Sequence, residues 1–349
     1  MLRILIIGKP TYNVILPVAN YLVEGSKNKL TSKLEMSGGT SIYVANLLAK
    51  WGVKELVYAG VVGNDIYGNK IKEELEAIEV NTKFVEVNFT APTSMNYIIV
   101  NEATGSSTQV IVDDPSVVLQ KYRFEAPPDY IIMDGTDIAG GNAAVNQYPN
   151  AKTILLANKV AEDVYSLTKR VNYVIANTRF AKALTKLELE VDKPKALVNF
   201  MQKIRDLQKA EYIVMMQEHG VLYVSEQQVK MIPAIALDKK VDDSNAGGVF
   251  FAAFCFGLIK EHSIDEAVKM ANIAAGLSMT KLGSANSIPE MADVFNLAGI
   301  ALPVEESPTE EAVVMEEQSD STPDIPEGSP PENAFGENAQ AAPETTNNE

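Results

Sequence analysis

Short apolar runs alternate with stretches of helical periodicity along most of this 349-residue chain, and this alternation constrains the fold more than any other feature. Residues 2–7 open the series, and residues 57–62, 130–133, 153–156, 173–176 and 212–216 repeat it. Runs this short, with no polar alternation, predict strands of a parallel sheet covered on both faces. Between them, residues 40–51, 68–78, 247–260 and 264–280 carry apolar side chains at three- and four-residue spacing, which predicts helices. Gly52 stops the first of these. The order of elements predicts an α/β fold, a mostly parallel central sheet flanked by helices.

Two insertions break the rhythm, at about residues 14–36 and 93–112. Met95-Asn96-Tyr97-Ile98-Ile99-Val100 alternates apolar and polar positions, and Asn101 to Gly105 has the chemistry of a turn. These segments predict a small antiparallel β lid over the carboxyl ends of the parallel strands, where open α/β sheets bind ligands.

Charge divides the chain. The formal net charge is −16, yet the last 46 residues hold 13 of the 46 Asp and Glu and none of the 30 Lys and Arg. Residues 1–303 therefore carry 33 acids and 30 bases, a net of −3. Residues 304–349 read as a disordered acidic tail, with one apolar island at residues 312–315 able to dock on a partner. No basic stripe points to direct nucleic-acid binding. The longest strongly apolar stretch, residues 249–259, is far short of the roughly 20 residues that span a bilayer, and no membrane association is expected. The opening run is too short for a signal peptide and lacks a cleavage site. The single Cys255 excludes an intramolecular disulfide and reads as a buried thiol. These features together lead us to expect a cytoplasmic protein.

The chemistry concentrates in glycine-rich turns. Asn245-Ala246-Gly247-Gly248 opens an apolar helix, and such a turn leaves backbone N–H groups free for an anion such as a phosphate. Ser37-Gly38-Gly39 opens another helix, which continues through Ala45 to Trp51 and stops at Gly52. With Gly60 to Gly68, Val241 to Phe250 and Leu282 to Pro289, these blocks resemble the PfkB family of carbohydrate kinases, in order and at family spacing. The resemblance runs across roughly residues 1–295. It implies a ribokinase-like fold, a sugar or nucleoside ligand, ATP and Mg²⁺ as cofactors, and pairing of lid strands in a homodimer.

The departures from that pattern fall where chemistry is done. The resemblance places an Asp general base where this chain has Gly248, and a general base contributes about 10²–10⁴-fold. The sugar-holding Asp corresponds to Asn13, and the Asn after the glycine pair, Gly38 and Gly39, corresponds to Tyr43. The acid of the metal-organising N-x-x-E element corresponds to Phe180, three residues after Asn177. In the nucleotide turn a Gly corresponds to Gln217, while Gly220 is kept. Asn245, Ala246 and Gly247 are matched to the anion turn, and Asn272 to the adenine border. Asp242 and Asp243 are candidate substitute bases. Asn177 reads equally as a helix cap and as a nucleotide contact, and Asn272 equally as helix surface. Asp65 and Asp134 follow strands near the crevice, where carboxylates often cap helices. His219 and His262 lack metal-ligand spacing and read as surface residues, so no metal site is assigned. The expectation is a degenerate, pseudokinase-like member in which ATP binding is weak and phosphoryl transfer is lost. It would work by binding a small ligand, or a protein partner through its body or acidic tail. The alternative is an active sugar or nucleoside kinase with a non-standard base.

Overall fold

Apolar on both faces, the short runs are satisfied only inside a sheet packed above and below, and the computed structural model places them there. It describes residues 2–30, 32–120, 126–283 and 285–302, and the expected acidic tail lies outside them. Strand β1 (Ile4–Ile7) is followed by β2 (Thr11–Val18), β3 (Leu34–Gly38), α1 (Thr40–Lys50) and β4 (Leu56–Gly63). Next come α2 (Ile66–Ala77), β5 (Asn81–Asn88), β6 (Met95–Asn101), β7 (Ser107–Val112) and β8 (Tyr130–Met133). The unit then repeats through α3 (Ile138–Gln147), β9 (Lys152–Ala157), α4 (Glu162–Thr168), β10 (Tyr173–Asn177) and α5 (Thr178–Thr185). After α6 (Pro194–Leu207), β11 (Glu211–Met215), β12 (Val221–Ser225) and β13 (Gln228–Ile232), the helices α7 (Ala246–Ile259), α8 (Ile264–Ser278) and α9 (Met291–Ala298) close the fold.

The main sheet has the order β13-β12-β11-β10-β9-β8-β1-β4-β5. It is parallel from β5 to β11, and β12 and β13 add an antiparallel edge. Alternate residues of each strand enter different cores, because successive side chains point to opposite faces. Ile4, Ile6, Tyr58 and Ile132 pack with α1, α7, α8 and α9, whereas Leu5, Ile7, Ile131 and Met133 pack with α3 to α6. Residues 249–259 of α7 are all buried, so this helix is apolar around its whole circumference. Each fully buried Phe there, such as Phe251 or Phe254, contributes about 1.5–3 kcal/mol of burial free energy. No described helix is long and apolar enough to cross a membrane.

The two insertions form a separate four-stranded sheet of order β3-β2-β6-β7. Its pairing corrects the antiparallel expectation at one join, since β2 and β6 run parallel while β2–β3 and β6–β7 are antiparallel. The reason is topological. β2 continues from β1 and β6 from β5, both leaving the carboxyl edge of the parallel sheet in the same direction. Ile15, Ile98 and Val100 form a small core under this sheet, packed against Leu34, Met36 and Leu282.

Candidate functional site

Asp242 shapes the turn before α7. Its carboxylate is fully buried and accepts the backbone N–H of Ser244 at 2.9 Å and of Gly283 at 3.2 Å. The N–H groups of Val241 and Asp242 both reach the Met279 carbonyl just past α8. Asp243 is occupied differently. Its Oδ1 accepts from the Ser107 N–H at 2.9 Å and hydroxyl at 2.8 Å, and its Oδ2 pairs with Lys240 Nζ at 2.9 Å. Its own N–H donates to the Gly105 carbonyl at 3.0 Å. Gly105 lies at φ +66°, and a Cβ there would stand 2.4 Å from the Lys240 carbonyl oxygen. Asp243 thus ties the β6–β7 turn to the segment that leads into α7. Both candidate substitute bases accept backbone N–H groups.

The turn itself is retained. α7 begins after Asn245, which makes no side-chain cap bond. Asn245 is 1% exposed, and among the described residues neither its amide nitrogen nor its amide oxygen has a partner. Buried amides are almost always hydrogen-bonded. Its two orphaned atoms leave polar capacity at the helix start beside Ala246 and Gly247.

Gly248 lies in the first turn of α7, against the ring of Tyr43. A Cβ at Gly248 would stand 2.3 Å from Tyr43 Cδ2, where carbon atoms normally approach to about 3.5 Å. Tyr43, on α1, is buried, and its hydroxyl accepts from Asn13 Nδ2 at 3.1 Å. Asn13 Oδ1 in turn accepts from the Thr11 hydroxyl at 2.8 Å. Gly38 is required by the same packing, since a Cβ there would fall 2.1 Å from Asn13 Nδ2. Gly39 precedes α1 at φ +92°, a conformation that favours glycine. Asn13 and Tyr43 thus bond to one another, with Gly38 against Asn13 and Gly248 against the Tyr43 ring, while Gly39 lies against residues 9–11.

The positions matched to nucleotide contacts share a different cavity. Gln217, Gly220, Ala246, Gly247 and Asn272 line one cavity of about 100 Å³. Gln217 begins a 3₁₀ turn at φ +55°, and Gly220 sits at φ +89°, where a Cβ would meet the Ile232 carbonyl at 2.0 Å. Asn272 is buried and donates to the Pro233 carbonyl at 2.8 Å. Ile235 fills the space above α8, because a Cβ at Gly276 would lie 2.1 Å from its Cγ1. Asn177 lines none of this cavity. It caps α5, accepting the Phe180 N–H at 2.8 Å, and donates to the Asn158 carbonyl at 3.2 Å. Phe180 is fully buried and stacks on Tyr165 with ring centroids 4.8 Å apart.

The residues present do not fit the family's cofactors well. The position matched to the family's metal-organising acid is a core phenylalanine, Phe180, and no group of three or more His, Cys, Asp or Glu among the described residues is placed to hold a metal ion. The 100 Å³ cavity is well below the roughly 300–1,000 Å³ of ordinary ligand pockets. His219 is exposed beside Glu218, and His262 packs edge-on against Phe295. Asp65 caps α2 through the N–H groups of Tyr67 and Gly68, and Asp134 accepts the Ser41 N–H at the start of α1. The roles of Ile235 and Ser107 carry no signal in the sequence, since each depends on a partner 136 residues away or on a loop that folds back over α8.

Comparison with known proteins identifies the family and the fold. The pfkB family carbohydrate kinase model matches residues 1–291. Bifunctional protein HldE of Helicobacter acinonychis is 26% identical over 324 residues, covering 85% of this chain and 67% of its own. The chain thus spans about two thirds of that relative. Ribokinase of Lactococcus lactis is 24% identical over 275 residues, covering 74% of this chain and 84% of its own. Among solved structures, a putative ribokinase from Agrobacterium tumefaciens superposes with a TM-score of 0.76 at 18% identity, over 85% of this chain and 97% of that one. Ribokinase of Arabidopsis thaliana, solved with ribose and ATP, gives 0.67 at 17% identity, over 86% and 100%. The likeness extends to the main sheet, its flanking helices and the smaller sheet.

Proposed function

The chain belongs to the PfkB family of carbohydrate kinases, and from that premise we propose that it has lost ordinary phosphoryl transfer and acts by binding. The observation that carries this reading is the Tyr43 ring in the space a side chain at position 248 would need. In a working member the base must reach the acceptor hydroxyl at hydrogen-bond distance, about 2.6–3.2 Å. Here the base is absent and its site is filled by another residue. Asp242 and Asp243 support the same reading, because both carboxylates are engaged by backbone N–H groups, and Asp243 also by the Ser107 hydroxyl and Lys240.

Nucleotide binding persists in this reading but is weak. The start of α7 offers the buried amide of Asn245, whose two polar atoms have no partner among the described residues, while Ile235 narrows the adenine side. The body of the domain, residues 1–303, is the binding unit, and the smaller sheet is its lid. A protein partner on the body or the acidic tail, or a second copy of the chain, completes the proposal, in a cytoplasmic setting. The test is transfer of labelled γ-phosphate from Mg²⁺-ATP to a broad panel of sugars and nucleosides. The expected result is no turnover by the native chain. Turnover of any panel member would overturn the reading and favour a kinase with a non-standard base. Size-exclusion chromatography with light scattering reads the oligomeric state.

A further inference from the structure

A cleft of about 530 Å³ lies where the carboxyl ends of α1 and α2 meet the segment that precedes α9. None of the residues matched to sugar, anion or nucleotide contacts lines it. Its volume falls within the roughly 300–1,000 Å³ of small-molecule pockets.

The two helix ends build its walls. α1 stops at Lys50, and Gly52 at φ +79° turns the chain so that Val53 and Lys54 join Ala49 and Lys50 in the lining. α2 stops at Ala77, and Glu79 at φ +61° makes the corresponding turn. Backbone groups at both ends are already paired. The Leu48 and Ala49 carbonyls accept the N–H groups of Val53 and Gly52 at 2.9 and 3.0 Å. The Leu75 and Glu76 carbonyls accept those of Val80 and Glu79 at 3.1 and 3.0 Å. Side chains therefore set what the cleft can hold.

Those side chains restrict the occupant. Ala49, Val53, Ala77, Ile78 and Ile288 make much of the lining apolar. The charges are matched in pairs. Lys54 Nζ lies 2.8 Å from Glu79 Oε2, and Lys50 Nζ lies 2.8 Å from Glu290 Oε1 while donating to the Ile288 carbonyl at 2.8 Å. A charged occupant thus meets no uncompensated partner and gives up its hydration for little return. Asn46 adds a directional contact. Its Nδ2 donates to the Ile42 carbonyl at 2.9 Å, which leaves its amide oxygen as an acceptor.

We propose that this cleft binds a neutral, mostly apolar small molecule carrying a hydroxyl or N–H donor, packed on Val53, Ile78 and Ile288 and donating to the Asn46 amide oxygen. The proposal does not depend on whether the chain transfers phosphate.

Trp51, the sole tryptophan of the chain, reports on occupancy. It is buried at the end of α1, and its indole donates to the Pro289 carbonyl at 3.0 Å, next to Ile288. The test titrates the full chain with 3-phenylpropan-1-ol, its methyl ether, 3-phenylpropanoate and 3-phenylpropylamine, followed by Trp51 fluorescence and by isothermal titration calorimetry. The alcohol should bind with a Kd of about 1 mM or tighter. The ether lacks the donor and should bind about fivefold weaker, the effect of one hydrogen bond, and the two ions should lose about as much or more. Ala77 is exposed, so Ala77→Asp leaves the fold intact while placing a carboxylate in the cleft. It should weaken the alcohol about tenfold or more. Asn46→Leu should erase the difference between alcohol and ether, with circular dichroism checking the fold of both variants. No saturable binding of the alcohol, an ion that binds as tightly, or indifference to Ala77→Asp would overturn the proposal, as would an alcohol preference that survives Asn46→Leu.

Discussion

Tyr43 and Gly248 pack against one another, and their coupling is measurable. Gly248→Ala adds a Cβ 2.3 Å from the Tyr43 ring, and such overpacking costs about 1–3 kcal/mol. Helix propensity favours Ala by at most about 1 kcal/mol, so the single variant should be less stable in urea denaturation. With Tyr43→Asn in the background the contact is gone, and the same Gly248→Ala step should stabilise by about 0.5–1 kcal/mol. Unchanged sign between the two backgrounds would refute the packing argument. For the same reason Gly248→Asp alone should restore no kinase activity. Asp134 permits a second test. Burial raises its carboxyl above the ordinary 3.8, although Thr136 and Ser41 donate to it. Between 3.8 and that raised value the folded state binds more protons than the unfolded one, so its contribution is favourable at low pH and is lost as pH rises. The stability difference between wild type and Asp134→Asn should therefore favour wild type more at pH 4 than at pH 7.

At the scale of elements, capping and tethering matter more than propensity. Asn177 holds the start of α5 through the Phe180 N–H. Asn177→Ala should cost about 1 kcal/mol, read from the midpoint of chemical denaturation. Restoring the family's acid three residues later should do harm rather than good. Phe180 is fully buried against Tyr165, so Phe180→Glu removes a core ring and buries a carboxyl, at about 3–5 kcal/mol or more. The β6–β7 turn is held by one side chain from the far end of the chain. Asp243→Ala removes its bonds to Ser107 and Lys240. Amide exchange at residues 101–107 should speed up while exchange in α7 and α8 stays slow, as expected of local opening. Uniform acceleration would mean that Asp243 supports the whole domain instead.

For the molecule as a whole, the weak nucleotide binding proposed above limits what nucleotide can contribute. Mg²⁺-ATP at a concentration near its Kd stabilises by only about 0.4 kcal/mol, so thermal unfolding should shift little at millimolar ATP. Ile235→Ala vacates the space over Gly276 and should enlarge that shift. An equal or smaller shift would show that Ile235 is not the obstacle. Much of this architecture was legible in the sequence. The resemblance to the family matched Asn13, Gly38, Gly39, Tyr43 and Gly248 to site positions, and the strand–helix alternation and the ordered glycine turns determined the sheet and its flanking helices. These are local signals, because periodicity and turn chemistry act over a few residues. The parallel β2–β6 join, Asp243 bound to Ser107, Ile235 laid over Gly276 and Tyr43 set against Gly248 came only from the tertiary structure. Each depends on the direction in which distant segments leave the sheet and on which side chain reaches a shared space first. Composition and spacing do not encode that geometry: the sequence alone sets Gly248 at the position matched to the family's base, while only the folded chain brings the Tyr43 ring against it.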